Sequence, residues 1–308
     1  MRVLFWGTPE FAAPPLRALI GEGFEVVGVV TQPDKPLGRS RTITAPPVKQ
    51  IAAEEEIPVL QPKNARDPEL VEKLEALKPD ISIVVAYGHI LPQKIIDLPP
   101  KGTLNIHASL LPALRGAGPI QAAIRQGLTE TGVSVMRVVP ALDAGPVLLQ
   151  ASMPIFDDEA FGELQNRLSE LGALTLIEAL TLVNLGKAKE KIQDESRATY
   201  APKVTRESSR INWRDSAVEI SRLIRATDPK PGAFTRTPRG DVKLFEPKVM
   251  DGIKGEPGEV LKVTGELVIA CGLDALRINE VQPSGKTRMS AHEWARGRGT
   301  KVGDKYGE

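Results

Sequence analysis

In the first half of the chain, apolar residues gather in short runs separated by segments of helical period. Residues 3–6, 26–31, 81–86, 104–107 and 133–139 are such runs, several of them rich in Val and Ile. Each has the length of a strand. Between the first two, residues 16–20 carry a helical pattern that Gly21 can end. Strands alternating with helices predict βαβ units and an α/β, Rossmann-like domain with a mainly parallel sheet. Such a sheet places ligands beyond the carboxyl ends of its strands, where the strand order reverses. The residues just after each strand are therefore the ones to read for chemistry.

The pattern then changes. Residues 159–185 carry a long helical period that ends at Gly186, and residues 188–205 are polar and charged with no clear period. The latter segment reads as a linker. A helical stretch over residues 216–227 precedes short β-like runs at 242–245, 258–263, 267–270 and 276–281, punctuated by Gly and Pro. This predicts a smaller β-rich domain of OB-like barrel type. The expected organisation is an N-terminal domain over residues 1–187, a linker over 188–205 and a C-terminal domain over 206–308.

Length agrees with two domains, since the chain has 308 residues. No stretch approaches the roughly 18 uninterrupted apolar residues of a membrane span. The apolar N-terminal run is broken by Gly7 and Pro9 and lacks the cleavage pattern of a signal peptide. The lone cysteine, Cys271, cannot form an internal disulfide, which argues for the cytoplasm. It reads as a small buried apolar residue. The three histidines, at 89, 107 and 292, are too scattered to predict a metal site. The net charge of +1 conceals an asymmetry. Residues 203–308 hold 20 Lys and Arg against 15 Asp and Glu, while the first 202 residues hold 20 against 24. Charge alone leaves two readings open: two ordinary solvated surfaces, or a C-terminal part that approaches a polyanion.

Candidate chemistry concentrates in the segment from Thr103 to Pro112. Asn105 and His107 are two residues apart at the end of an apolar run, so in a strand they share one face at the carboxyl edge of the sheet. Asp143 follows the next run and is a plausible neighbour of His107. Asn, His and Asp make a workable set for acyl transfer. An amine attacking a formyl carbon creates a tetrahedral oxyanion to which Asn105 and a protonated His107 can each donate a hydrogen bond. Asp143 offers the ring an opposite charge and can take up the proton lost by the amine, through water. No serine or cysteine nucleophile is required. Ser109 as a hydrolase nucleophile is disfavoured, because no Gly-x-Ser-x-Gly elbow surrounds it. Taken singly, each of these polar residues also reads as a turn former or a satisfied polar group.

Together the pieces are more specific. Asn105-Ile106-His107-Ala108-Ser109-Leu110-Leu111-Pro112, then Arg115-Gly116, Pro119-Ile120-Gln121, Thr131-Gly132-Val133 and Asp143-Ala144-Gly145 resemble the folate-dependent formyltransferases. The resemblance implies that Asn105, His107 and Asp143 are the catalytic set. It implies further that Ser109, Leu110, Leu111 and Pro112 bind the formyl donor, 10-formyltetrahydrofolate, and that Tyr87, Gly88, Ile90 and Leu91 belong to its pterin pocket. Gly7-Thr8-Pro9-Glu10-Phe11-Ala12 lacks the glycine-rich phosphate loop of the glycinamide ribonucleotide branch and is similar to the branch that acts on initiator methionyl-tRNA. Residues 31–49 resemble that branch's basic loop. Between Lys35 and Lys49 they hold four basic residues, Lys35, Arg39, Arg41 and Lys49, and no acidic one. A segment so polar should be mobile without a partner, and its arginines suit phosphates and unpaired bases. The resemblance covers nearly the whole chain, and a monomer is expected. Trp6 stands where a small residue is expected, and Lys230 where a tryptophan is usual.

Other functions remain to be weighed. The missing Gly-x-Gly-x-x-Gly fingerprint disfavours a nicotinamide-dependent oxidoreductase. A formyltransferase acting on a small amine and a non-catalytic RNA-binding protein are the remaining alternatives.

Overall fold

The computed structural model describes residues 1–37 and 42–307; Arg39 and Arg41 lie outside the described residues. The chain divides into two compact units. The first comprises residues 1–119, 130–154 and 165–201, and the second comprises residues 120–129, 155–164 and 202–308.

In chain order the first stretch runs β1 (Arg2–Gly7), α1 (Ala13–Gly21), β2 (Glu25–Val30), β3 (Lys35–Leu37), β4 (Thr42–Thr44), α2 (Pro47–Glu54), β5 (Val59–Leu60), α3 (Pro68–Ala76), β6 (Ile81–Val85), α4 (Gln93–Ile96) and β7 (Thr103–His107). It continues with α5 (Pro119–Gln126), β8 (Glu130–Arg137), β9 (Val147–Pro154) and α6 (Phe161–Asn184). Seven of these strands form one sheet in the order β5-β2-β1-β6-β7-β8-β9. The first five run parallel, and β8 and β9 are antiparallel. The strand order reverses between β1 and β6, which makes the carboxyl ends of these strands the ligand edge.

Central parallel strands are covered on both faces, which is why β1 reads as a continuous apolar run. Val3, Leu4, Phe5 and Trp6 are all buried. Trp6 is accommodated by two specific contacts. Its Nε1–H donates to Ser82 Oγ at 3.4 Å, and its ring meets Tyr87 edge-on at 5.2 Å. Gly7 follows because there is no room for more: a Cβ there would lie 2.7 Å from the Phe5 ring and 2.8 Å from Ala12 Cβ.

Two parts of this unit differ from the pattern expected. Residues 35–37 and 42–44 pair as two short antiparallel strands where a loop was expected, with Lys35 opposite Thr44 and Leu37 opposite Thr42. The polar segment after α6 is bonded to the unit it leaves. Lys191 exchanges both backbone hydrogen bonds with Val147, at 2.9 and 2.8 Å, and Arg115 exchanges bonds with Thr199 and Ala201, at 2.8 and 2.7 Å.

In the second unit, α7 (Ala217–Thr227) precedes β10 (Phe234–Thr237), β11 (Gly240–Met250), β12 (Val260–Lys262), β13 (Leu267–Ala270), β14 (Ala275–Pro283), β15 (Met289–Ser290) and α8 (Ala291–Arg296). The strands form an antiparallel sheet in the order β10-β11-β14-β13-β12, with β15 added to β14, curled into a half-barrel. Ser216 starts α7 with a reciprocal cap to Glu219, which satisfies two backbone donors that a helix start leaves unpaired. The helix turns Ile220, Leu223 and Ile224 into a core shared with Trp213, Leu244, Leu276 and Ile278. Burial pushes the Cys271 thiol up to about 12, so the residue packs and does not react. No helix among the described residues is long and apolar enough to cross a membrane.

Candidate active site

β7 carries Asn105 and His107 on one face. Leu104 and Ile106, which alternate with them on the other face, are buried. Asn105 stands opposite Val84 of β6 on one side and Met136 of β8 on the other. His107 stands opposite Ser134. Its imidazole is almost fully buried. Nε2 lies 2.9 Å from the Leu114 carbonyl oxygen, an atom that can only accept, so this nitrogen carries the proton. Nδ1 lies 3.6 Å from Asp143 Oδ2, within ion-pairing reach but longer than a hydrogen bond.

Asp143 reaches His107 from the loop between β8 and β9. It adopts a left-handed backbone conformation, φ +49°, which a non-glycine residue occupies only when its surroundings impose it. Its Oδ2 accepts the Gly116 N–H at 2.8 Å. Gly116 has φ +113°, and a Cβ on it would lie 2.6 Å from the Ala201 carbonyl oxygen. Only glycine fits at that crossing.

The loop after β7 is held by a polar row across the sheet. Ser134 Oγ–H donates to the Ser109 carbonyl at 2.6 Å and accepts the Leu111 N–H at 3.0 Å. Gln150 Nε2 donates to Ser134 Oγ at 2.8 Å and to the Leu111 carbonyl at 3.0 Å. Ser109 Oγ–H donates to the Ala113 carbonyl at 2.6 Å. Leu111 is buried against Met136 and Val147, and Leu110 and Pro112 are half-buried.

At the end of β6, Tyr87 and Leu91 are buried, while Gly88 and Ile90 are exposed, Ile90 to 78%. Burial raises the Tyr87 hydroxyl to about 12, so it stays a neutral phenol. The Tyr87 carbonyl accepts from Thr8 Oγ1 and Gln32 Nε2, both at 3.3 Å. Ile90 here, and Leu142 beside Asp143, are large apolar side chains left open to a ligand, Leu142 being 56% exposed. Apolar side chains beside backbone polar groups are the chemistry that a pterin ring would take up.

Of the basic residues, Lys35 is exposed on β3. Lys49 lies in α2, and its Nζ donates to both Asp34 oxygens at 2.9 and 2.7 Å. Gln61 donates to the same carboxylate at 2.7 Å. The Gln61 hydrogen bond, and then the Lys49 ammonium, hold the Asp34 carboxyl below its ordinary value. The structure therefore brings Asn105, His107, Asp143 and the loop of Ser109–Pro112 to one sheet edge and leaves Lys49 matched to an acid of its own.

Profiles of known families match both parts of the chain. The formyl transferase profile covers residues 1–180, and the profile for the formyl transferase C-terminal domain covers residues 203–299. A methionyl-tRNA formyltransferase from Methylococcus capsulatus is 48% identical over 295 residues, 96% of this chain and 96% of the relative. The protein of the same name from Geobacter sulfurreducens is 43% identical over 309 residues, 100% and 97% of the two chains. The chain belongs to the formyl transferase family. Solved structures share the fold of this formyl transferase at lower identity. HypX from Aquifex aeolicus in complex with tetrahydrofolic acid superposes with a TM-score of 0.67 at 23% identity, covering 99% of this chain and 50% of HypX. An N-formyltransferase from Helicobacter canadensis superposes with a TM-score of 0.68 at 16% identity, covering 90% and 97%.

Ser134, Gln150, Arg115 and Gln193 were not singled out for any role by the sequence. Ser134 and Gln150 carried one faint signal, a polar side chain inside or beside an apolar run. Gln193 carried none, because it sits in a segment without period.

Proposed function

We propose that this formyl transferase moves the formyl group of 10-formyltetrahydrofolate to the amino group of methionine carried on initiator methionyl-tRNA, acting as a monomer in the cytoplasm. The observation that carries the chemistry is the gathering of Asn105, His107 and Asp143 at one edge with no nucleophile among them. The nearby Ser109 hydroxyl is engaged by the Ala113 carbonyl, and the Cys271 thiol is buried in the other unit. Transfer is therefore direct, from donor to amine.

The donor supplies the formyl carbon and leaves as tetrahydrofolate; Tyr87, Gly88, Ile90, Leu91 and residues Ser109 to Pro112 hold it. As the amine attacks, negative charge grows on the formyl oxygen. The Asn105 amide and the His107 Nε2–H donate to it, each worth about 3–4 kcal/mol of barrier. Asp143 orients the ring through Nδ1 and receives, directly or through water, the proton shed by the amine. As the intermediate collapses, the bond from the formyl carbon to the donor nitrogen breaks and that nitrogen takes up the proton, so that the donor leaves as tetrahydrofolate.

Methionyl-tRNA as acceptor rests on the relatives' names at 43–48% identity over nearly the full chain and on the positive excess of residues 203–308. Lys35, Arg39 and Arg41 meet the acceptor stem. Lys49 serves the same purpose indirectly, by fixing the foot of this pair of strands through Asp34. The test is a competition among acceptors. Purified protein with 10-formyltetrahydrofolate should formylate initiator methionyl-tRNA with a kcat/KM far above that for glycinamide ribonucleotide or an amino sugar nucleotide. Equal or better use of a small amine would overturn the assignment.

A further inference from the structure

The mechanism needs Asp143 in a conformation that a side chain disfavours, on a loop that runs from residue 138 to 146. Gly145 marks how tightly that loop is folded, since a Cβ there would lie 1.9 Å from the Arg137 carbonyl oxygen. Something must hold the turn. The side chain that does so comes from the polar segment after α6. Gln193 is 8% exposed. Its Nε2 donates to the Asp143 carbonyl at 2.8 Å and to the Gly145 carbonyl at 2.7 Å. Its Oε1 accepts from Arg115 Nε at 3.1 Å and Nη2 at 2.9 Å.

These four bonds fix which way the amide faces. A guanidinium can only donate and a carbonyl can only accept, so the oxygen must meet Arg115 and the nitrogen must meet the turn. Arg115 is itself 1% exposed and is held by Glu195, which accepts from Nη1 at 2.9 Å and from Nη2 at 2.7 Å. The result is a relay from Glu195 through Arg115 and Gln193 to the Asp143 backbone. On either side, backbone bonds between Lys191 and Val147 and between Arg115 and Thr199 tie the same segment to both loops of the site.

We infer that Gln193 is a positioning residue for formyl transfer, oriented by Arg115, which sets the Asp143 turn so that its carboxylate meets His107. The inference rests on the catalytic reading of Asp143 given above. Gln193 touches neither substrate nor reacting atom. It acts through the turn, and its failure should appear in kcat with little change in substrate binding.

Gln193→Glu tests this with almost no change of shape. The pairing with Arg115 is kept and gains charge, while the donor facing two carbonyls becomes an oxygen that repels them. The single-turnover rate should fall about 10- to 100-fold, the scale of an ångström-sized misplacement of a catalytic group. Dissociation constants for tetrahydrofolate and methionyl-tRNA should stay within about threefold of wild type, and the melting temperature should confirm folding. Should Gln193→Glu fail to fold, Gln193→Met removes the same bonds without adding charge and should show the same kcat-selective loss. Asp143→Asn and the double variant complete a cycle. The Gln193→Glu substitution should cost little once Asp143 is already disabled. A wild-type rate in a folded Gln193 variant beside a slow Asp143→Asn overturns the inference, and so do losses that multiply in the double variant. A wild-type rate in Asp143→Asn is a different failure: it removes the catalytic reading itself, and this inference with it.

Discussion

Two regions of the first unit, both polar, are built in opposite ways. Around Asp143 and His107, two loops and the segment after α6 are bound together by backbone pairs and buried side chains, with a glycine where the strands of chain come too close for a Cβ. In residues 35–49 the described part is a pair of three-residue strands and the start of a helix, anchored to the rest through the Asp34 carboxylate. The first region is arranged for fixed geometry. The second carries an exposed cation, Lys35, on a short pair of strands. Direct transfer between two substrates needs both, because the chemical groups must not move while a large acceptor must be gripped far from them.

The largest effect should come from the fixed region. His107→Ala and Asn105→Ala should each lower the single-turnover rate about 100-fold or more, the scale of a lost oxyanion donor. Near-normal turnover in either folded variant would remove that residue from the mechanism.

Next is Gly116→Ala, which touches no substrate in this reading. Its Cβ would collide with the Ala201 carbonyl on a backbone that disfavours any side chain. A loss of about 1–3 kcal/mol in stability is expected, with a fall in rate as the Asp143 bond is disturbed. Denaturant unfolding measures the first, and unchanged stability would show that the crossing relaxes easily.

The second region should respond differently. Arg39→Ala or Arg41→Ala should lower kcat/KM for methionyl-tRNA about tenfold, the scale of one charged hydrogen bond, with folate affinity unchanged. Lysine at position 39 should restore activity only in part, since it keeps the charge and loses the planar fork. Wild-type values at both positions would sink this segment as a reader of the acceptor.

The smallest effect separates two roles for Lys49. If it anchors this pair of strands, Lys49→Ala and Asp34→Ala should weaken methionyl-tRNA use equally, about two- to threefold as for a modest ion pair, and the double variant should be no worse. If Lys49 grips the nucleic acid itself, only its own removal should matter.

The fold was legible where apolar period decides it. β1, β2, β6, β7 and β8 fall on the apolar runs, and α7 falls on its helical pattern with the Ser216 cap at its start. β9 was missed because its apolar run is only Val147-Leu148-Leu149, and the rest alternates between half-buried and exposed positions at the edge of the sheet. The β3–β4 pair was missed because its strands are only three residues long, too short to show a period. In the site, Asn105 and His107 could be paired from their spacing on one strand, but Gln193 could not be found that way. Its partners are Arg115, 78 residues earlier, and Asp143, 50 residues earlier, and contacts at such separation leave no period in a sequence. The same contacts change how residues 188–205 are understood, since much of that segment belongs to the site's scaffold.

The central claim is that Asp143 acts in the chemical step beside His107, and one comparison tests it most directly. The single-turnover rate of formyl transfer to initiator methionyl-tRNA should be measured for wild type and Asp143→Asn, with tRNA and tetrahydrofolate binding determined separately. The account predicts a rate lower by about 100-fold with both affinities nearly unchanged, because the amide keeps the shape of the carboxylate and loses its charge and its capacity to take a proton. An undiminished rate accompanied by collapsed tRNA affinity would contradict it.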